Sequence, residues 1–82
     1  MNSTGDAIPL SDLEKNSSAS IIKIAESKPD LSNRLLELGF IHGSVITANG
    51  KAPFGNPLIF TIHGGKLALR KEDAQHILVR KL

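Results

Sequence analysis

Cysteine, tryptophan and tyrosine are all absent from this chain of 82 residues, and phenylalanine occurs three times. Without cysteine there is neither a disulfide nor a thiolate metal site to staple the fold, which suits a reducing compartment. The aromatic shortage weighs against single-stranded nucleic acid, whose binding sites set stacking rings in a basic groove. With Phe60 expected in the core, only Phe40 and Phe54 are left for such a role. The same shortage argues against an aromatic-lined groove for proline-rich peptides. No apolar run approaches the ~20 residues of a membrane-spanning helix, so direct membrane insertion is not expected. Residues 1–6, Met-Asn-Ser-Thr-Gly-Asp, lack the basic start and apolar centre of a secretion signal. The expected location is cytoplasmic.

Catalytic and ligating patterns are missing too. Nothing resembles a nucleophile elbow or a paired acid and base, and no catalytic residue is expected. Gly64-Gly65-Lys66 lacks the upstream glycine spacing and following hydroxyl of a phosphate-binding loop. Glu72 and Asp73 are adjacent, so their carboxylates diverge on a helical turn and suit its positive end. His42, His63 and His76 are scattered over a loop, an outward strand face and a helical turn, without the short helical spacing of a zinc motif. Neither a metal site nor a cofactor is expected.

What is present is a well-punctuated pattern of strands around one helix. A chain this short forms one domain and buries about 60–65% of its unfolded surface. Residues 1–7 are small and polar and predict a disordered tail, with residues 8–82 as the folded unit. Leu10 and Leu13 predict a short turn packed inward, and Asn16 a left-handed break. Ile21, Ile22 and Ile24 predict a first strand over 19–25. Pro29-Asp30 opens a helix, with Asp30 as its cap and Leu31, Leu35 and Leu38 as its core stripe. Gly39 is the expected left-handed stop. Four strands follow, over 45–51, 58–63, 66–70 and 77–81, with Gly64-Gly65 as a hairpin turn and a helical turn before the last strand. Period-2 sorting gives each strand one apolar and one mixed face, as a small closed barrel requires. The fold class is therefore mainly β: a small barrel of about five strands, one α-helix between the first two and a short helical turn before the last.

With chemistry absent, binding remains. Residues 1–30 hold three lysines against five acids, and residues 66–82 hold five Lys/Arg against two acids. Such polarity can steer a charged partner or serve solubility. Leu36 points roughly 140° from the Leu31/Leu35/Leu38 stripe at about 100° per residue. Together with Phe40, Ile41 and His42 at the helix end, it forms the predicted protein interface. Arg34 is its charged rim, and Phe54 a further member from the proline-fixed loop over 52–57. Strand edges and exposed apolar residues leave pairing with a second copy open.

The residues Leu10-Ser11-Asp12-Leu13, Arg34-Leu35-Leu36-Glu37-Leu38-Gly39-Phe40 with Gly43, Pro57, and Leu67-Ala68-Leu69-Arg70 with Ala74, Ile77 and Val79 resemble the FeoA family (ferrous iron transport protein A). The likeness spans roughly residues 8–81. It departs at two turns, where Lys15-Asn16 stands in place of the family's common Pro-Gly and His42 in place of a proline. The resemblance implies an SH3-like barrel acting as a non-catalytic cytoplasmic accessory in bacterial ferrous iron uptake. Its implied partner is the cytosolic region of the transporter FeoB, which carries a GTP-binding domain, so that the protein would sit at the inner face of the membrane. The alternative is a small-barrel nucleic-acid-binding domain, or one of the metalloregulator type in which related domains also occur.

Overall fold

Proline, asparagine and glycine cut the chain into short strands in a computed structural model that describes residues 7–82. The elements in order are β1 (Ala7–Pro9), a 3-10 turn (Leu10–Asp12), β2 (Ser18–Ile24), α1 (Pro29–Glu37), β3 (Val45–Lys51), β4 (Leu58–Ile62), β5 (Gly65–Leu69), α2 (Lys71–Ala74) and β6 (Ile77–Lys81). The tail expected over 1–7 lies outside the described residues except for Ala7, which opens β1. That strand is an addition to the five expected. It is three residues long and gains its partner only through Ile8↔Val79 and its neighbours, far along the chain.

All strand pairs are antiparallel, in the order β1-β6-β2-β3-β4-β5. One extra residue interrupts β2 between Ile21 and Lys23, and another interrupts β3 between Ala48 and Gly50. Such bulges bend a strand and raise its twist, and here they curl the sheet over its apolar face. The side chain of the extra Asn49 is held, accepting a hydrogen bond from the Thr61 hydroxyl at 2.6 Å. On the inner face Ala19, Ile46 and Ile62 lie in register across three strands, as do Ile21 and Val79. Phe60, Leu69, Ile77 and Ala74 complete the core with Leu10 and Leu13 of the 3-10 segment, both buried as the sequence predicts.

Helix α1 closes this core with Leu31 and Leu35. Pro29 occupies its first turn, where a missing N–H costs nothing. The expectation that Asp30 caps the helix does not hold. The cap position is Lys28, which makes no side-chain capping bond, and Asp30 lies one residue inside the first turn. Its charge still suits the positive helix end.

The other end of α1 departs from the expected stripe. Leu38 takes φ −90° and ψ 2°, leaving the helix, and Gly39 adopts φ +93° as predicted. The Phe40 N–H then bonds the Leu35 carbonyl at 2.9 Å and the Gly39 N–H bonds the Leu36 carbonyl at 3.0 Å. These two bonds define a Schellman motif, whose hydrophobic partner is the residue after the glycine. Phe40 therefore folds back onto Leu35 and fills the core place the stripe assigned to Leu38. The β4–β5 hairpin also differs from expectation. Its turn is His63-Gly64, with φ +53° and +80°, closed by the pair Ile62↔Gly65. Two positive φ values in a two-residue loop mark a type I′ turn, whose twist matches the strands it joins.

Candidate docking surface at the end of helix α1

Past its last turn, α1 presents a run of apolar side chains that the core does not use. Leu36 is 52% exposed, Leu38 47%, Ile41 56% and Val45 49%. They fall within ten residues of chain, at the point where the helix hands over to β3. Isolated exposed leucines are ordinary, and it is the grouping of four apolar residues within so short a stretch that makes this the candidate surface. Leu36 and Ile41 stand as the sequence places them. Leu38 and Val45 join them unforeseen, Leu38 because helical periodicity was carried one residue past the helix.

Phe40 does not belong to this surface. It is 1% exposed and among the largest fully buried side chains, so the expectation that its ring faces a partner is corrected by the Schellman turn. Phe54 is 99% exposed, yet it stands apart. Val45 starts β3 beside the helix end, whereas the loop carrying Phe54 follows Lys51 at the other end of that strand. At ~3.3 Å per residue the two ends of β3 lie about 20 Å apart. That loop is tied instead to α2, through the Asn56 side-chain oxygen accepting from the Lys71 N–H at 3.0 Å.

Arg34 lies on the flank of α1 and reaches the Asp73 carboxylate on α2 at 3.5 Å, with 59% of its side chain exposed. It is a surface residue as expected, with its charge shared with α2. His42 is exposed in a turn closed by the Ser44 N–H on the Ile41 carbonyl at 2.9 Å. Gly43 in that turn has φ +91°, a conformation that favours glycine.

The backbone under this surface is bonded from three sides. The Gly43 N–H donates to the Ile21 carbonyl and the Ile21 N–H to the Ser44 carbonyl, both at 2.8 Å, fastening the segment to β2. Ser44 is buried, and its hydroxyl donates to the Gly39 carbonyl at 3.1 Å. The same carbonyl accepts the Ile41 N–H at 3.0 Å and His63 Nε2 at 2.9 Å. Sequence reasoning set His63 on an outward strand face with no role. Only the type I′ turn, one residue earlier than predicted, swings its ring onto the helix end.

Among the described residues no group of three or more His, Asp or Glu is placed to hold a metal ion. One groove of about 430 Å³ opens between the segment after the 3-10 turn and β3–β4, with Leu13, Ala48, Leu58 and Phe60 in its floor and Lys15 and Lys51 at its sides. No described helix is long and apolar enough to cross a membrane.

Comparison with known proteins gives this geometry a context. Residues 8–81 match the family described as the FeoA domain. A fusion of Fe(2+) transport protein A with the Fe(2+) transporter FeoB from Porphyromonas gingivalis is 37% identical over 70 residues, which is 85% of this chain and 8% of that much longer protein. The solution structure of a FeoA-like protein from Clostridium acetobutylicum is 33% identical and superposes with a TM-score of 0.83, covering 93% of this chain and 87% of the other. The zinc complex of Stenotrophomonas maltophilia FeoA, an SH3 domain protein, is 30% identical with a TM-score of 0.74, covering 85% and 86% of the two chains. The curled six-stranded sheet with its inserted helix is thus the SH3-like fold of those proteins, and the chain belongs to the FeoA family.

Proposed function

We propose that this protein is a non-catalytic accessory module of ferrous iron transport that docks on the cytosolic region of a FeoB-type transporter. The observation that carries the reading is the exposure of Leu36, Leu38, Ile41 and Val45 within ten residues of chain at the end of α1. The Porphyromonas relative, which joins both transport proteins in one chain, supports the choice of partner. Arg34 and His42 form the polar rim. Such a surface, apolar at its centre and charged at its edge, has the anatomy of a protein interface. Phe54 is outside it, and Phe40 supports it from below. Docking here would act on transporter assembly, nucleotide cycling or gating, and would hold the protein at the inner face of the membrane without inserting into it.

The test is a titration of the isotope-labelled protein with the GTP-binding domain of such a transporter, followed by amide chemical shifts. Shifts centred on residues 34–45 with none around Phe54 are the expected result. Leu36→Asp should weaken the complex while leaving stability within about 1 kcal/mol, as exposed substitutions do. Wholesale unfolding of that variant, or full binding by it, would remove Leu36 from the interface. No shift with the soluble domain, followed by none with the full-length transporter in detergent, would refute the docking reading.

A further inference from the structure

We propose that His63 is a positioning residue for this docking surface: its imidazole, carried across from the β4–β5 hairpin, locks the carbonyl of Gly39 and so sets the course of the segment that displays Leu38 and Ile41. The proposal rests on the docking reading above for its functional meaning, and on the geometry alone for the lock.

The turn that holds His63 does not favour histidine. Both of its central residues have positive φ, and a type I′ loop is best served by Asn, Asp or Gly at those places. Histidine reaches this region more readily than most residues but is not the turn's preferred occupant. Nor is it there for packing, since the side chain is exposed. What its ring does is meet α1: Nε2 stands 2.9 Å from the Gly39 carbonyl oxygen. That oxygen can only accept, so the proton is on Nε2. The contact is close enough that a Cβ on Gly39 would lie 2.7 Å from Cδ2 and 2.8 Å from Nε2. The helix end and the hairpin turn therefore meet through two residues of positive φ, with no room for a Cβ on Gly39 while the ring is in place.

The bonded oxygen sits at the pivot of the surface. Leu38 precedes Gly39 and Ile41 follows two residues later, and the same oxygen accepts the Ile41 N–H and the Ser44 hydroxyl. β2 fixes the far end of the segment through Ile21. His63 fixes the near end from a different part of the sheet, so the two exposed side chains are held from both sides. A preorganised loop loses less entropy on binding, and that is where such a bond would act on affinity.

Two substitutions separate this role from simple stability. His63→Asn supplies the turn's preferred residue, but its amide ends near the place of Nδ1 and falls short of Gly39. His63→Gln suits the turn less, yet its amide nitrogen reaches the place of Nε2. For each full-length variant, the melting temperature, amide hydrogen exchange over 39–44 and affinity for the GTP-binding domain of a FeoB-type transporter are measured. With His63→Asn the melting temperature should hold or rise, while exchange at Ile41 quickens about three- to tenfold, the range expected for losing one such bond, and affinity falls. With His63→Gln exchange and affinity should return toward the original values in spite of a lower melting temperature. Affinity that follows the melting temperature instead of the exchange would overturn the positioning role. Unchanged exchange in His63→Asn would overturn the lock itself, whatever the partner does. Faster exchange with unchanged affinity would leave the lock standing and place the docking surface elsewhere, which refutes the positioning role through the docking reading.

Discussion

Substituting Gly39 by alanine loads two separable strains onto one atom. At φ +93° an L-residue suffers its left-handed clash, about 1–2 kcal/mol. The added methyl group also enters the space of the His63 ring at 2.7 Å. Because that ring is exposed it can swing away, at the loss of its hydrogen bond, about 0.5–1.5 kcal/mol net. The total is about 1.5–3.5 kcal/mol. For a domain of this size each kcal/mol lowers the melting temperature by about 4–8 °C, so a fall of roughly 6–28 °C is expected. Gly43 is the internal control: its φ is +91°, and a Cβ there would meet no described atom within 4 Å. Gly43→Ala should therefore show the backbone part alone. Placing both substitutions in a His63→Gly background, where the turn is relaxed and the ring is gone, should bring their costs to within about 0.5 kcal/mol of each other, by the additivity expected of uncoupled sites. Urea denaturation followed by circular dichroism measures all of these differences. Equal costs for the two alanines in the original chain, or a Gly39 cost untouched by removal of His63, would refute the reasoning.

The helix end offers a second contrast. Leu35→Ala should cost roughly 2–5 kcal/mol because it empties a fully buried position, whereas Leu38→Ala should stay within about 0.5 kcal/mol as a surface change; a Leu38 cost matching that of Leu35 in denaturant melts would restore the unbroken stripe. Arg34→Ala should lower stability by less than about 1 kcal/mol, since its side chain is mostly exposed and its contact with Asp73 is long, at 3.5 Å. That small cost should shrink in 0.5 M salt, and a loss that ignores salt would mean Arg34 acts through packing.

Much of the architecture was legible because its signals are local. The β-branched run at Ile21, Ile22 and Ile24, the left-handed break at Asn16 and the stop at Gly39 each follow from the preferences of a few neighbouring residues, and the structure has them. The errors occur where a period was extended past its element. Helical spacing run one residue too far put Leu38 inside and Phe40 outside, although the glycine between them reverses the chain. Strand alternation run one residue too far hid the turn conformation of His63. Strand β1 gave no sign because three residues carry little pattern, and its reason for being extended is β6, some seventy residues later. Of the proposed interface, Leu36 and Ile41 were readable from helical geometry. Phe54 could not be placed, because its distance from them depends on the run of β3 and not on any local feature.

The order of the sheet has a bearing on how this chain acquires its structure over time. Residues 77–81 lie between residues 7–9 and 18–24, so the last of the described strands is flanked by the first two. Until it arrives, β2 has only its short pairing with β3 over Ser18–Ser20, and β1 has no neighbour at all. Closing such a long loop comes before any of its contacts can form, which slows the folding of small β-rich domains into the millisecond-to-second range. During synthesis the earlier strands therefore wait, with Ile21 and its neighbours uncovered, until β6 has left the ribosome and inserts between them.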